Sequence, residues 1–523
     1  MGRLNLDAPL LQLSTNDQFT VRDALQGGLL ITGGTGSGKT SGPGATIAGS
    51  MLRAGWGGIV LCAKPEEAGH WVRLCRKHGR GQTVIRWNGR NAGFNFVAYE
   101  LARHGAEGIN NVIECLMRVL EFSRSASALP SKGNEAFWDD TMRQVLRHAV
   151  PLLYAASGNV RIDQLLAFVR SAPNAPEQMR DPDWQKGNFF CEVFTAAAER
   201  LDDATGQKLV AYWQHDFARL DPKTRGNIVI SLTTALDRFN HGWMAEAFCG
   251  ATTIVPELTF HGAIIILDMP AFTLNEDGII AQQLFKYMWQ RAVLARNSLP
   301  PAQQERPCFL WADEAQHFLN SQDAEFLSAC RGSRANMVFL SQSLPTYYAR
   351  MGGENAHDRV HHMLGNFGTT LWLNNNCAVT NEYAAKMIGR SLQQRANYSQ
   401  SHGESHNYGN SMGMGTNEGF SSHSGWSSSS GPNGQWSVGA SGGSGSSSGE
   451  SDNVGRTHGH GSSHNVSQGF SMQMDHLVEP ASFARHLKTG GPKNGNRVSG
   501  YWMQAGRCFH ASGLNLLQVE FVQ

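Results

Sequence analysis

Charge is scarce in this chain. Lys and Arg number 44 against 43 Asp and Glu, charged residues make up 17%, and the formal net charge is +1. A histone-like or polybasic membrane-surface protein is excluded, because its electrostatic footprint needs a large excess of one sign. Paired cysteine motifs are missing as well. The nine cysteines are scattered, their number is odd and no CxxC occurs, which excludes a disulfide framework and a zinc ribbon and suits a reducing compartment. Long hydrophobic runs are absent too. The longest, Ala263-Ile264-Ile265-Ile266-Leu267, falls far short of the ~20 residues that cross a bilayer. Met1-Gly-Arg-Leu-Asn-Leu-Asp7 lacks the apolar core of a signal peptide. The expectation is a soluble, cytoplasmic protein with no integral membrane segment. What is present is 523 residues, 41% of them hydrophobic, enough for two or three domains with real cores.

Short apolar runs recur, each followed by Gly or polar residues: Leu29–Ile31, Ile59–Cys62, Thr83–Ile85, Ile264–Leu267, Cys308–Trp311, Met337–Leu340 and Thr370–Leu373. Continuous rather than alternating runs are what strands buried on both faces require, so they predict a mostly parallel sheet covered by helices, an α/β class. Between Glu107 and about Asn240 the period changes. Ile113, Leu116, Met117 and Leu120 fall at helical spacing, as do Val145, Ala149, Leu152 and Leu153, and predict a mostly helical insert between two strands. From about Tyr398 to Phe470, Gly and Ser dominate. Such a segment has too little apolar surface to offset its ordering entropy and predicts a disordered insertion. Phe420, Trp426, Trp436 and Phe470 are out of place in a pure spacer and leave open polar hairpins or a docking segment. The alternating Gln518–Val522 predicts a last strand. These changes divide the chain into 1–105, an inserted helical part 106–255, 256–397, the Gly/Ser-rich part 398–472, and 473–523.

Gly33-Gly34-Thr35-Gly36-Ser37-Gly38-Lys39-Thr40 fits GxxxxGK[ST], directly after an apolar strand and ahead of a helical segment from Ala45 to Arg53. Glycines let the backbone fold around an anion, so that amides and a helix N-terminus face phosphate oxygens. Gly33, Thr35, Gly36, Ser37, Gly38, Lys39 and Thr40 are therefore the predicted nucleotide contacts. Lys39 would reach the β/γ-phosphates and Thr40 would ligate Mg²⁺.

Cys308–Gln316 supplies a second element, an apolar strand ending in Asp313-Glu314. Asp313 is predicted in the Mg²⁺ shell, and Glu314 as the base for an attacking water. Gln342 closes the strand Met337–Leu340 and is placed to bond the γ-phosphate or the water. Arg331 and Arg334 offer guanidiniums for a neighbouring subunit's nucleotide.

These elements, in this order, resemble the conjugative type IV coupling proteins (the TraG/TraD-like family) of the HerA–FtsK class of P-loop ATPases. The matching stretches are Gly33–Thr40, Asp313-Glu314-Ala315-Gln316, Arg331, Leu340-Ser341-Gln342-Ser343, Leu364–Thr369 and Phe137-Trp138-Asp139-Asp140. The resemblance implies a RecA-like fold with an all-α insert and a homo-hexamer with ATP and Mg²⁺ at each interface. Lys39, Thr40, Asp313 and Glu314 would act from one subunit and Arg331 from the next, with DNA in the central channel. It also implies relaxosome and secretion-channel components as partners. Two departures stand out. Family members usually begin with transmembrane helices, whereas about thirty residues precede this phosphate loop; the expectation is a version without an anchor, cytoplasmic or held at the inner membrane by a partner. In Cys62-Ala63-Lys64-Pro65-Glu66, Ala63 stands where the family commonly has an acidic residue before the lysine, which leaves the turn's part in nucleotide binding open, with Lys64 and Glu66 remaining.

The twenty histidines, including His361, His362, His402, His406, His458, His460 and His464, lack the Cys or carboxylate partners of a metal site and read as solvated. Trp71, Trp87, Trp138, Trp213 and Trp243 read as core, and the cluster Arg73, Arg76, Lys77, His78 and Arg80 as a solvated helix face. Two further functional readings stay open: a DNA-pumping ATPase of a mobile-element or defence system, and a substrate-recruiting adaptor that uses ATP only for assembly.

Overall fold

The computed structural model describes residues 4–126, 135–353, 355–409, 418–430, 436–448 and 457–523. The chain forms two compact units, one of residues 1–380 with 483–523 and one of 381–482.

The first unit is built on a nine-stranded sheet. A short hairpin, β1 (Pro9–Gln12) and β2 (Gln18–Thr20), precedes it. The sheet strands are β3 (Leu29–Thr32), β4 (Gly57–Leu61), β5 (Val84–Trp87), β6 (Ile264–Leu267), β7 (Cys308–Ala312), β8 (Ala335–Ser341) and β9 (Thr369–Trp372), with β14 (Arg497–Gln504) and β15 (Leu516–Val522) from the C-terminal stretch. Their spatial order is β15-β14-β9-β3-β8-β7-β4-β6-β5. From β9 to β5 every pairing is parallel, while β14 runs antiparallel to β9 and to β15. β3, β4, β6, β7, β8 and β9 are buried at every position, which is why their sequences are unbroken apolar runs. This is the RecA-like P-loop arrangement, with the phosphate-loop strand between β8 and β9.

Helices fill the chain between β5 and β6, beginning at Phe96–His104 and ending at Gly242–Cys249. The aromatic cluster of Phe168, Phe190, Trp213 and Phe217 lies at their centre. Trp71, Trp87 and Trp213 are core residues: Trp71 packs on Phe309 and Trp311 from the next strand over. Of the basic cluster, Arg80 is a structural tie that donates to the carbonyls of Leu52 and Gly262, whereas Arg73, Arg76 and Lys77 are exposed. No described helix is long and apolar enough to cross a membrane.

The second unit departs from the expected disorder. β10 (Arg390–Gly409), β11 (Glu418–Ser430), β12 (Trp436–Ser448) and β13 (Thr457–His476) form an antiparallel sheet in the order β10-β13-β12-β11. β10 and β13 pair without a break from Arg390↔His476 to Gly409↔Thr457. Backbone ladder bonds, which need no apolar side chain, carry this architecture, and composition is blind to them. The strands start at Arg390, ahead of the compositional boundary at 398. Residues 410–417, 431–435 and 449–456 of the Gly/Ser-rich part lie outside the described residues, as do the side chains of Phe420, Trp426, Trp436, His402, His406, His458, His460 and His464.

Candidate nucleotide site

The phosphate loop leaves β3 at the carboxyl edge of the sheet, tied on both sides. Gly33 N–H donates to the Ser341 carbonyl at the end of β8 (3.1 Å), and Gly34 N–H to the Asn374 carbonyl beyond β9 (2.8 Å). Gly36 and Gly38 take φ of +76° and +80°, a region that L side chains enter at a cost. At Gly38 space is short as well: a Cβ there would lie 2.5 Å from Cγ2 of Val498 on β14. After Lys39 the chain winds one wide π-type turn, Thr40–Gly44, before the α-helix Ala45–Arg53. Ser37 Oγ is buried with no hydrogen-bond partner. An orphaned hydroxyl inside a glycine cradle at a helix N-terminus matches an anion that brings its own acceptors.

The carboxylates arrive on β7. Register places β7 between β4 and β8, with Leu61 opposite Ala312, so Asp313 and Glu314 emerge beside the loops that follow β3, β4 and β8. Thr40 Oγ1 donates to Asp313 Oδ2 at 2.5 Å. A hydroxyl and a carboxylate held together at the helix N-terminus are a hard-oxygen donor pair of the kind Mg²⁺ takes alongside phosphate oxygens. The residues present therefore fit a magnesium–triphosphate on both counts, cradle and donors.

Glu314 is the node of the site. Its φ is +50°, an uncommon conformation for a residue with a Cβ, of the kind that gathers at functional centres. Its carboxylate is 3.6 Å from Lys39 Nζ and 3.2 Å from Lys64 Nζ. It accepts from Gln316 Nε2 at 2.9 Å and from Gln342 Nε2 at 3.1 and 3.2 Å. Burial alone would push this carboxyl up, but the amides of Gln316 and Gln342 and the ammoniums of Lys39 and Lys64 outweigh it and bring it down to about 2. Glu314 is thus anionic at any working pH. Gln342 in turn accepts from Thr35 Oγ1 at 3.3 Å, and its carbonyl accepts from Asn375 Nδ2 at 2.7 Å. Gln342 so touches the phosphate loop, the carboxylate and the loop after β9 together.

Of the sequence-predicted residues, Gly33, Thr35, Gly36, Ser37, Gly38, Lys39, Thr40, Asp313, Glu314 and Gln342 converge here. Arg331 does not. It lies before β8 at the opposite edge of the sheet, and the seven residues of β8 span about 20 Å at ~3.3 Å per residue. Arg331 is exposed. Arg334 is half-buried and committed to the Glu305 carbonyl at 3.0 Å.

The turn after β4, whose part the sequence left open with Lys64 and Glu66 remaining, joins the site, and further residues that the sequence did not single out join it too. Lys64 reaches Glu314 from the turn after β4. In the same turn Glu67, rather than Glu66, brings a carboxyl inward: its Oε2 accepts from Ala63 N–H at 2.7 Å, and burial with the nearby Asp313 charge pushes it up to about 8. Asn374 and Asn375 brace the phosphate loop and Gln342; the run Asn374-Asn375-Asn376 directly after an apolar strand was the available signal. A buried clamp holds the chain that follows Glu314. Lys286 Nζ, on the helix Ala271–Ala295, bonds the Phe318 carbonyl at 2.6 Å and Asp323 at 2.6 Å, both side chains fully buried. Gln290 donates to the same carboxylate at 2.8 Å, and Gln283 to the Leu319 carbonyl at 3.0 Å.

Comparison with known proteins agrees with this frame. A family model described as the TraM recognition site of TraD and TraG matches residues 307–433. Among solved structures the chain is similar to plasmid coupling protein TrwB in complex with ADP and Mg²⁺, with 14% identity, coverage of 95% of this chain and 85% of that one, and a TM-score of 0.50. It is also similar to TrwB with the GTP analogue GDPNP (15% identity, 95% and 86% covered, TM-score 0.49) and to an unbound TrwB form (14%, 96% and 86%, 0.49). At this identity the likeness to the Mg²⁺–ADP complex is one of fold. No curated protein matches the sequence.

Proposed function

We propose that the chain is a Mg²⁺- and ATP-dependent motor ATPase of coupling-protein type, working as a homo-hexamer that moves DNA or nucleoprotein toward a conjugative type IV secretion channel. The observation that carries this reading is the convergence on Glu314: a base next to the phosphate-loop lysine, with an amide from a third strand reading both. Support at the level of fold comes from the likeness to a plasmid coupling protein. The matched family model speaks for the same class.

When bound, the magnesium–triphosphate supplies a phosphoryl group open to attack by water. The amides of Gly33–Thr40 and the Lys39 ammonium hold its oxygens, and Thr40 and Asp313 ligate the metal. The Glu314 carboxylate would take the proton that the attacking water gives up as its oxygen bonds to the γ-phosphorus and the bond to the leaving nucleoside diphosphate breaks. Gln342 orients the water and, through Thr35 and Asn375, couples the state of the site to the loops around it. Arg331 serves a neighbouring protomer's nucleotide, since its own lies across the sheet. Relaxosome proteins and channel components are the partners of this reading.

The test is DNA-stimulated ATP hydrolysis, with negative-stain imaging in ATP and DNA. Rings threaded by DNA and hydrolysis lost in Lys39→Ala are expected, together with Arg331→Ala rings that assemble and melt like wild type but do not turn over. Absence of ATP uptake by calorimetry in the presence of Mg²⁺ refutes the reading.

A further inference from the structure

The turn after β4 holds an unexplained atom. Glu67 Oε2 is used, capping the Ala63 amide, but Oε1 is buried and has no hydrogen-bond partner. A buried acceptor without a donor costs about 1–3 kcal/mol, so a native structure that keeps one invites a reason. The location supplies one. Leu61 is in register with Ala312, so the Cys62–Glu67 turn lies alongside Asp313-Glu314. Lys64 of that turn pairs with Glu314, and the charge of Asp313 acts on Glu67. Asp313 is the carboxylate that holds the Thr40 hydroxyl. The turn that carries the unpaired oxygen thus runs alongside the strand end that holds Asp313.

We propose that Glu67 is a positioning residue of the metal site: its unpaired Oε1 accepts a hydrogen bond from a water in the shell of the Mg²⁺ that Thr40 and Asp313 hold. The proposal rests on the ATPase reading above and deepens it. Mg²⁺ dehydrates reluctantly and keeps several waters; each is a strong donor, and an acceptor oxygen fixed in the protein orients it. The Ala63 amide holds one carboxylate oxygen and thereby aims the other. A carboxamide here would still accept from Ala63 N–H through its oxygen, while presenting a donor where the water needs an acceptor.

The experiment titrates Mg²⁺ against binding of a fluorescent ATP analogue to the full chain, beside the same titration in EDTA. For Glu67→Gln the Mg²⁺ concentration at half-maximal binding is expected to rise at least tenfold, the lower bound for outer-shell partners of a metal, with the EDTA affinity unchanged. Glu67→Ala is expected to shift the same way, and decides the matter if the Gln variant does not fold by circular dichroism. Wild-type Mg²⁺ dependence in a folded variant overturns the proposal and leaves the ATPase reading standing. So does equal weakening with and without metal, which marks a purely structural cap. No binding by the wild type removes the ATPase reading itself, and this proposal with it.

Discussion

Glu314→Gln separates binding from chemistry more sharply than any other change at this site. Lys39 leans on Glu314 at 3.6 Å, so the carboxylate competes with a phosphate for the lysine and also repels that phosphate. At an effective dielectric of about 20, unit charges about 4 Å apart attract by roughly 4 kcal/mol. Most of that is cancelled by desolvation already incurred in burying the pair. A net release of about 1–2 kcal/mol is reasonable, which tightens ATP binding about 5- to 30-fold. The amide retains the shape of the side chain and at least one bond to Gln316 or Gln342. Turnover, which needs a proton acceptor, should fall by about 10²–10⁴. Calorimetry with ATP gives the first number and phosphate release gives the second. Weaker binding in the variant, or turnover above a tenth of wild type, refutes the role assigned to Glu314.

Other outcomes follow from named contacts. Gly38→Ala should lose nucleotide binding and melt lower than Gly36→Ala, because both carry the positive-φ strain but only Gly38 also meets Val498; Gly38→Ala combined with Val498→Ala should regain part of the lost melting temperature. Lys286→Met strands the buried Asp323 carboxylate and should cost about 3–5 kcal/mol in urea unfolding, while Lys286→Met with Asp323→Leu should recover most of it. Burial, and then the Arg350 guanidinium, push His317 down to about 4. Between pH 6.5 and 4 the unfolded chain takes up a proton there and the folded one does not, so stability is lost as pH falls through that window. His317→Gln should flatten that part of the pH–stability curve, and an unchanged slope would contradict the assignment.

Much of this architecture was legible because one physical cause wrote most of it: strands buried on both faces must be apolar throughout, and the seven runs from Leu29–Ile31 to Thr370–Leu373 became β3–β9, of which only the edge strand β5 is not buried throughout. The phosphate loop and the Asp313-Glu314 pair were legible for a similar reason, since their backbone and charge requirements are local. β14 was not. Arg497–Gln504 carries Gly500, which lets its backbone pass close to Leu371, Leu373 and the Trp372 carbonyl, and glycine inside a run reads as a break. Lys64 and Glu67 gain their roles only through register between β4 and β7, and Lys286 and Asp323, 37 positions apart, meet from two helices. No local pattern encodes such meetings. The strands β10–β13 stood in the sequence only as an open alternative of polar hairpins, because composition measures what a segment can bury, not what its backbone can pair with.

The packing of β14 against the phosphate loop has a consequence for biosynthesis. Val498 fills the space beside Gly38, and Gln523 Nε2 bonds Ser41 Oγ, so the floor of the cradle is laid by residues more than 450 positions after the loop itself. A chain emerging from the ribosome N-terminus first carries its GxxxxGKT through more than 450 further residues without a finished cradle. From the making of β9 until β14 follows, β9 is an open sheet edge, a template for strands of other chains. Nucleotide arriving early would meet a loop with no backing.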